Sequence, residues 1–429
     1  MNLSKISKFK LGLVTFLTAF ALRLSVVFGY IFGFFNGGLE GGDTHLYIEI
    51  ANNLLSGNGF AADSAPTAYV SPFFPIFLTA IFSIFGENLI LISVIQSILS
   101  ALVCVFIYYY TVLIFENVFT GFLAGIISAF NYELILWANA QILTEPLYIF
   151  LFATAILFLV SALKKAEKAT LYFVISGLFF ALASLTRPIL IAVTFGIFVL
   201  IFISSFFRNS INWKRTLYFF AVFLLMLMPW GIRNYFVMGN FTVMSLEGGY
   251  VFWLGNNPQY DRYEHPDFHK FGGYTAIIKP DEELAKKMTY KTSAEKNKIF
   301  SQAAWQHIKN HPADFIKRAL HKNWNMWRPN FSNSSWRNNL ISYTFYPLIL
   351  ITSLVGMFLA WRNSNENFLK KIGQPIGIFI AIFLMHIFIH SVITGEIRFR
   401  VPLWIILIPF SAFTFSKILE KTKLAQITY

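Results

Sequence analysis

Apolar residues run along this chain in long blocks, not in the alternation of a half-buried strand. Ten of them, near 11–35, 88–114, 118–137, 146–163, 169–186, 188–207, 216–232, 342–361, 374–393 and 401–416, approach the ~20 residues that carry a helix across a bilayer. A transmembrane β-barrel would alternate apolar and polar positions in ~10-residue segments, and none occurs. The pattern predicts an all-α polytopic membrane protein with about ten transmembrane helices. An eleventh apolar piece, SPFFPIFLTAIFSIFG at 71–86, is short and holds prolines at 72 and 75. It is expected to lie along the membrane.

Charge supports that count. With Lys5, Lys8 and Lys10 inside, a non-spanning 71–86 puts four later basic clusters on the same side: Lys164, Lys165 and Lys168; Arg208, Lys214 and Arg215; Arg362, Lys370 and Lys371; Lys417, Lys421 and Lys423. A crossing there would turn all four outward, against the positive-inside rule. The expectation is a cell-membrane protein with both termini cytoplasmic. The start, MNLSKISKFK before a long apolar run, reads as a signal anchor that stays. The chain then divides into a transmembrane module at 1–232 with a first outer loop at 36–87, an extracytoplasmic segment at 233–341, and C-terminal transmembrane helices at 342–429. From Asp281 to about Trp327 that segment reads as helical, divided by Pro312 into two helices.

Composition agrees. Of 429 residues, 56% are hydrophobic and 13% charged, about half the ~25% charge of a soluble chain. The net charge of +13 is spread in clusters beside apolar segments, so nucleic acid is not an expected partner. One cysteine, Cys104, excludes an internal disulfide.

Candidate chemistry gathers at the outer face. Between Arg23 and Lys164 there is no Lys or Arg, yet Glu40, Asp43, Glu49, Asp63, Glu87, Glu116, Glu133 and Glu145 lie there. Past Asp43 the apolar positions Leu46, Tyr47, Ile50, Ala51, Leu54 and Leu55 form one face of an interfacial helix. Asp43 stands at its N-terminal end behind Gly41–Gly42, placed either to cap it or to meet a substrate. Glu145, before Pro146, and Glu133 fall at outer span ends, where a carboxylate near lipid is costly and so a functional candidate. Glu116 falls on the inner side.

Four arginines reach the same face: Arg187 in SLTRPIL, Arg233 in PWGIRNYF, and Arg398 and Arg400 beside Glu396 in GEIRFRVP. Arg23 lies within the first span and suits a packing ion pair. Outward arginines at a bilayer edge suit an anionic ligand. Arginines and carboxylates together suit transfer of a group from a lipid-linked phosphate: the arginines hold the departing phosphate, and a carboxylate such as Asp43 takes a proton from an attacking hydroxyl. A transporter or flippase for a lipid-linked or anionic solute is the alternative. It accounts less well for an outer segment of ~100 residues and for acids away from the midplane.

Other chemistries find little support. There is no G-x-x-x-x-G-K-[ST] and no G-x-S-x-G. Histidines repeat at i,i+4 in His265/His269, His307/His311 and His386/His390, without H-E-x-x-H or a partnering cysteine. With one Asp at 43 and no D-x-D, a divalent cation is compatible with the site but not required, and no metal ligands are assigned. Sequons at Asn240, Asn330 and Asn333 lie on the outer side.

The order of GGDTHLYIEIANNLLSGNGF, YVSPFFPIFLTAIFSIFG, ILTEPLYIFLF, SLTRPIL, PWGIRNYFVMGNFTVMS, WLGNNP, NHPADFIKRALHKNWNMW and EIRFRVPLW resembles the polytopic glycosyltransferases of the C-type fold. It is near glycosyltransferase family 39, with its protein O-mannosyltransferases and lipid A aminoarabinose transferases. The resemblance implies a polyprenyl-phosphate-sugar donor, a hydroxyl acceptor (lipid, glycan or protein), inverting transfer, and membrane lipids as surroundings. It implies Asp43 as catalytic base and Glu145 as the second acidic position. Arg187, Arg233, Arg398 and Arg400 would bind the donor phosphate, with Tyr47, Glu133 and Glu396 in support. Where protein mannosyltransferases usually show Asp-Glu, this chain has Asp43–Thr44, which counts against a mannosyl donor and a protein acceptor.

Overall fold

The computed structural model describes residues 7–34, 39, 41–139, 141–165, 167–208, 213–260, 279–329, 336–364 and 366–421. Glu40, His265, His269, Asn330 and Asn333 lie outside these residues. Among the described residues, nine helices are long and apolar enough to cross a membrane. They include α1 (Lys8–Ile31), α4 (Leu89–Phe115), α7 (Glu145–Lys164), α8 (Ala169–Thr186), α9 (Ile189–Arg208) and α10 (Trp213–Met238). Thr344–Asn363, Pro375–Val392 and Ile397–Glu420 complete the set. The protein is an all-α, multi-pass membrane protein. Its core is continuous through the bundle, with Phe152, Phe180, Phe219, Trp404 and Phe410 among its buried rings.

The block at 118–137, expected as one span, is built in two pieces, α5 (Val118–Phe130) and α6 (Tyr132–Asn139). Asn131 makes the break. It leaves helical dihedrals, and its side-chain oxygen accepts from Leu134 N at 2.9 Å. An asparagine here ends one helix and caps the next. The pair still carries the chain from one end of the bundle to the other. Near the start of α4, Gln96 donates to Leu143 O just before α7 (3.0 Å), whereas past its end Glu116 pairs with Lys164 (3.1 Å). Tyr108 donates to Lys8 O at that same far end (3.1 Å). Glu116 is thus remote from Asp43, as expected.

The first loop folds as two short helices, α2 (Thr44–Leu55) and α3 (Phe73–Phe85), packed on each other. At 13 residues α3 is too short to span. Between them Ala61–Ala62 pairs antiparallel with Ala65–Pro66, across Asp63 and Ser64, both at positive φ (48° and 60°). That is the geometry a two-residue hairpin needs.

The 281–327 stretch holds three helices, not two: Glu282–Met288, Ser293–Asn310 and Pro312–Trp327. Pro312 divides the last two as expected. The unforeseen break comes from Thr292, whose hydroxyl accepts from Glu295 N while the Glu295 carboxylate accepts from Thr292 N. This capping box starts a new helix.

Candidate functional site

Asp43 sits at the N-terminal end of α2, exposed, and its side chain makes no capping hydrogen bond. Thr44 does the local work instead. Its hydroxyl lies 2.6 Å from Gly41 O and 2.9 Å from Ile142 O, and Ile142 N donates to Leu39 O at 2.9 Å. Thr44 is fully buried, so the larger, charged glutamate of an Asp-Glu pair would not fit there. Gly41 is required by close approach: a Cβ there would collide with the Gln141 side-chain amide. Gly42 has φ +54°, where glycine carries no Cβ penalty. Together these contacts set the Asp43 carboxylate at the edge of the 141–145 stretch, with no capping hydrogen bond and, among the described residues, no donor to its oxygens.

Next along that stretch, Glu145 is buried and ion-paired with Arg187 Nη2, while Arg187 Nε donates to Thr144 Oγ1 at 3.0 Å. Arg187 follows the end of α8, where the helix stops before Pro188. Arg398 opens the 3-10 turn Ile397–Leu403, its Nε 2.9 Å from Glu396 Oε2 but out of line for a hydrogen bond. Arg398 feels Glu145, Asp43 and Tyr47 electrostatically. Tyr47, one turn into α2, packs edge-on against Phe74 (5.1 Å), and its phenol is pushed up by burial first and by Asp43 next. Asp43, Tyr47, Glu145, Arg187, Glu396 and Arg398 therefore form one constellation.

The sequence reading missed one member. Glu247, in SLEGGY before helix α11 (Gly248–Leu254), accepts a hydrogen bond from Tyr69 OH at 3.3 Å. Leu246 N donates to Ala68 O at 2.8 Å, which fastens this segment to the first loop. Burial raises the Glu247 carboxyl above its ordinary value, Asp43 adds to the rise, and Arg398 and Arg187 oppose it. A signal existed: between Arg233 and Asp261, Glu247 is the only charged residue.

Three expected residues are placed elsewhere. Arg233 donates to Thr67 O (2.7 Å) and Phe60 O (2.8 Å), and its guanidinium lies over the Trp230 ring at 5.0 Å. It clamps both ends of the first-loop hairpin to α10. Arg400, fully buried, grips Glu133 with Nε and Nη2 and donates through Nη1 to the carbonyls of Met326 and Arg328. The Trp404 indole donates to the same Glu133 carboxylate (2.7 Å), and the Tyr346 ring lies 3.9 Å from the guanidinium. With each guanidinium nitrogen engaged and no exposed surface, Arg400 is committed to the fold, and Glu133 to Arg400 and Trp404. Arg23 bonds to Ser100 Oγ (2.6 Å), two carbonyls and Cys104 Sγ (3.4 Å). Expected in a packing ion pair, it is held by neutral groups.

His386 and His390 also have structural places. His386 bonds to Phe399 O (2.8 Å) and His390 to Thr394 O (2.9 Å), so both brace the segment carrying Arg398. Among the described residues no three of His, Cys, Asp and Glu come together as a metal site.

Residues 69–232 match the family of dolichyl-phosphate-mannose-protein mannosyltransferases. The chain also aligns with solved structures of the oligosaccharyltransferase AglB from Archaeoglobus fulgidus. The complex with an inhibitory peptide and a dolichol-phosphate is 14% identical, with a TM-score of 0.59, over 99% of this chain and 52% of that one. The form tethered to an acceptor peptide is 14% identical, with a TM-score of 0.60, over 98% and 50%. This chain thus spans about half the length of those structures. ArnT from Cupriavidus metallidurans bound to undecaprenyl phosphate aligns over 96% and 78% at 10% identity, but its TM-score of 0.39 is too low to carry weight. No curated protein matches in sequence. The expected resemblance is met by the family match over 69–232, and the fold is that of C-type membrane glycosyltransferases.

Proposed function

We propose that this protein is an inverting glycosyltransferase that moves a sugar from a polyprenyl-phosphate donor to a hydroxyl acceptor at the extracytoplasmic face. One observation carries the reading: an exposed carboxylate, Asp43, uncommitted to any cap, beside two arginines that each keep a carboxylate of their own. The family matched by residues 69–232 and the dolichol-phosphate in the AglB complex support the donor class.

In this reaction the Asp43 carboxylate accepts the proton of the acceptor hydroxyl as its oxygen bonds to the anomeric carbon. The bond from that carbon to the phosphate oxygen breaks on the opposite face, which inverts the configuration. Polyprenyl phosphate departs with one more negative charge than the phosphodiester carried. Arg187 and Arg398 stabilise that growing charge, which is worth most in a site shielded from water. Glu145 and Glu396 orient these arginines, so Glu145 is a positioning residue and not the second catalytic acid. Glu247, hydrogen-bonded by Tyr69, belongs to the same charge group as Asp43, Arg398 and Arg187.

The test is incubation of purified protein with a panel of polyprenyl-phosphate sugars and candidate hydroxyl acceptors, following free polyprenyl phosphate by mass spectrometry. Release by wild type and not by Asp43→Asn is expected. Folded protein that releases nothing from any donor would return the weight to a transporter.

A further inference from the structure

The Pro312–Trp327 helix is amphipathic the wrong way round for water. Ile316, Leu320 and Trp324, spaced at i, i+4 and i+8, are 62%, 69% and 63% exposed and form a single stripe. Its opposite side buries Arg318, Lys322 and Asn325. A helix packed on a soluble core hides its apolar stripe and shows its charges. Here Arg318 donates to Asn257 O (2.9 Å), and Lys322 to Asn256 Oδ1 and Val392 O (3.1 Å each). Whatever meets the outward stripe is apolar.

The position of the helix says what that is. Asn323 donates to Ser391 Oγ at the end of the Pro375–Val392 span. The Trp327 ring packs 5.5 Å from Phe383 of the same span. Phe383 lies nine residues before Val392, so the Trp327 side chain reaches below the end of the span. That span turns Leu384 (56%) and Phe388 (68%) outward, on the surface that lipid covers. Exposed Lys317, next to Ile316 and one turn before Leu320, flanks the stripe, as suits an interfacial helix facing phosphate headgroups. Tryptophan favours that boundary too.

We propose that the Pro312–Trp327 helix lies in the bilayer interface at the site end of the molecule, with lipid covering Ile316, Leu320 and Trp324. The occupant is bilayer lipid, not a second copy or another part of this chain. The surface stands apart from the reaction proposed above. Its inner side reaches the site, because Lys322 holds Val392 and a Cβ on Gly395 would collide with Lys322 O. Membrane attachment of this helix therefore braces the segment that ends in Glu396 and Arg398.

The full chain reconstituted into liposomes tests this. The single native cysteine, Cys104, is fully buried, so an added surface cysteine takes an environment-sensitive fluorophore, with unsubstituted protein as the background. Leu320→Cys is compared with Lys298→Cys on the preceding helix, and Ile316→Cys serves if Leu320→Cys folds poorly. Nitroxide lipid labelled near the headgroup is expected to quench the stripe position several-fold more than position 298. Aqueous iodide is expected to do the reverse. Equal iodide quenching at both positions would place the stripe in water and overturn the proposal. Shielding from iodide without quenching by the lipid would mean that protein covers it, and would overturn the proposal equally.

Discussion

Arg398 and Arg400 stand two residues apart on one 3-10 turn, and each has a glutamate, yet they belong to opposite kinds of structure. Around Arg400 every valence is closed: Glu133 takes two nitrogens, two backbone carbonyls take a third, and Trp404 holds the carboxylate from its other side. Around Arg398 the valences stay open. Among the described residues its Nε has no hydrogen-bond partner, Arg187 shares the neighbourhood, and exposed Asp43 makes no capping bond. A charge pair that is buried and fully bonded holds the fold against the cost of desolvation. Charges left partly unbonded at a membrane edge are the ones that can serve a ligand.

The comparison breaks first at Asp43. Asp43→Asn is expected to cut polyprenyl-phosphate release by ~10²–10⁴-fold, while thermal unfolding in detergent stays within ~0.5 kcal/mol of wild type. Equal loss of folding and turnover would make Asp43 a structural cap. Glu133→Gln should do the opposite. Leaving Arg400 buried without its anion is expected to cost ~3–5 kcal/mol of stability, read as a lower unfolding midpoint, with turnover per folded molecule preserved.

Arg398→Gln sharpens the contrast between neighbours. Loss of one donor to the departing phosphate is expected to lower kcat by ~10²–10³-fold with the midpoint little changed, checked by rate and by thermal scan on one preparation. Arg400→Gln in the same assay should lose the fold instead. A smaller effect belongs to Lys322, a buried cation that donates to the uncharged oxygens of Asn256 and Val392. Burial, and then Arg318, lowers its pKa to about 7. The unfolded chain holds that proton up to ~10.5 and the fold releases it near 7, so this group makes stability rise with pH across that window, by at most ~1.4 kcal/mol per unit. Lys322→Met should flatten the rise, measured as unfolding midpoints at pH 7, 8 and 9.

Much of the candidate site was legible. Asp43 stood out as an acid without local counter-ions, and Arg187 and Arg398 as outward arginines. What could not be read was the pairing. Glu145 and Arg187 are 42 residues apart, and Glu133 and Arg400 are 267 apart. No local pattern distinguishes an arginine that will be saturated from one that will be left open. Arg233 shows the same blindness, since its carbonyl partners belong to a hairpin too short for any periodicity to mark. Glu247 was legible in principle as the lone charge in its stretch, but nothing local ties it to the first loop.

By itself the sequence determined the features that local, additive chemistry controls. Long apolar blocks must span a membrane as helices because their backbone groups find no partner in hydrocarbon. Caps and breaks at Asn131, Thr292 and Pro312 act over a few residues. Tertiary structure alone decided which charges are closed and which are open, because that depends on groups 42 to 267 residues apart meeting within hydrogen-bond distance. The inverted Pro312–Trp327 helix belongs to both. Its apolar stripe is written in the i, i+4, i+8 spacing of Ile316, Leu320 and Trp324, but only the fold shows that the stripe faces out, because the burial of Arg318 and Lys322 on the other side is a property of packing.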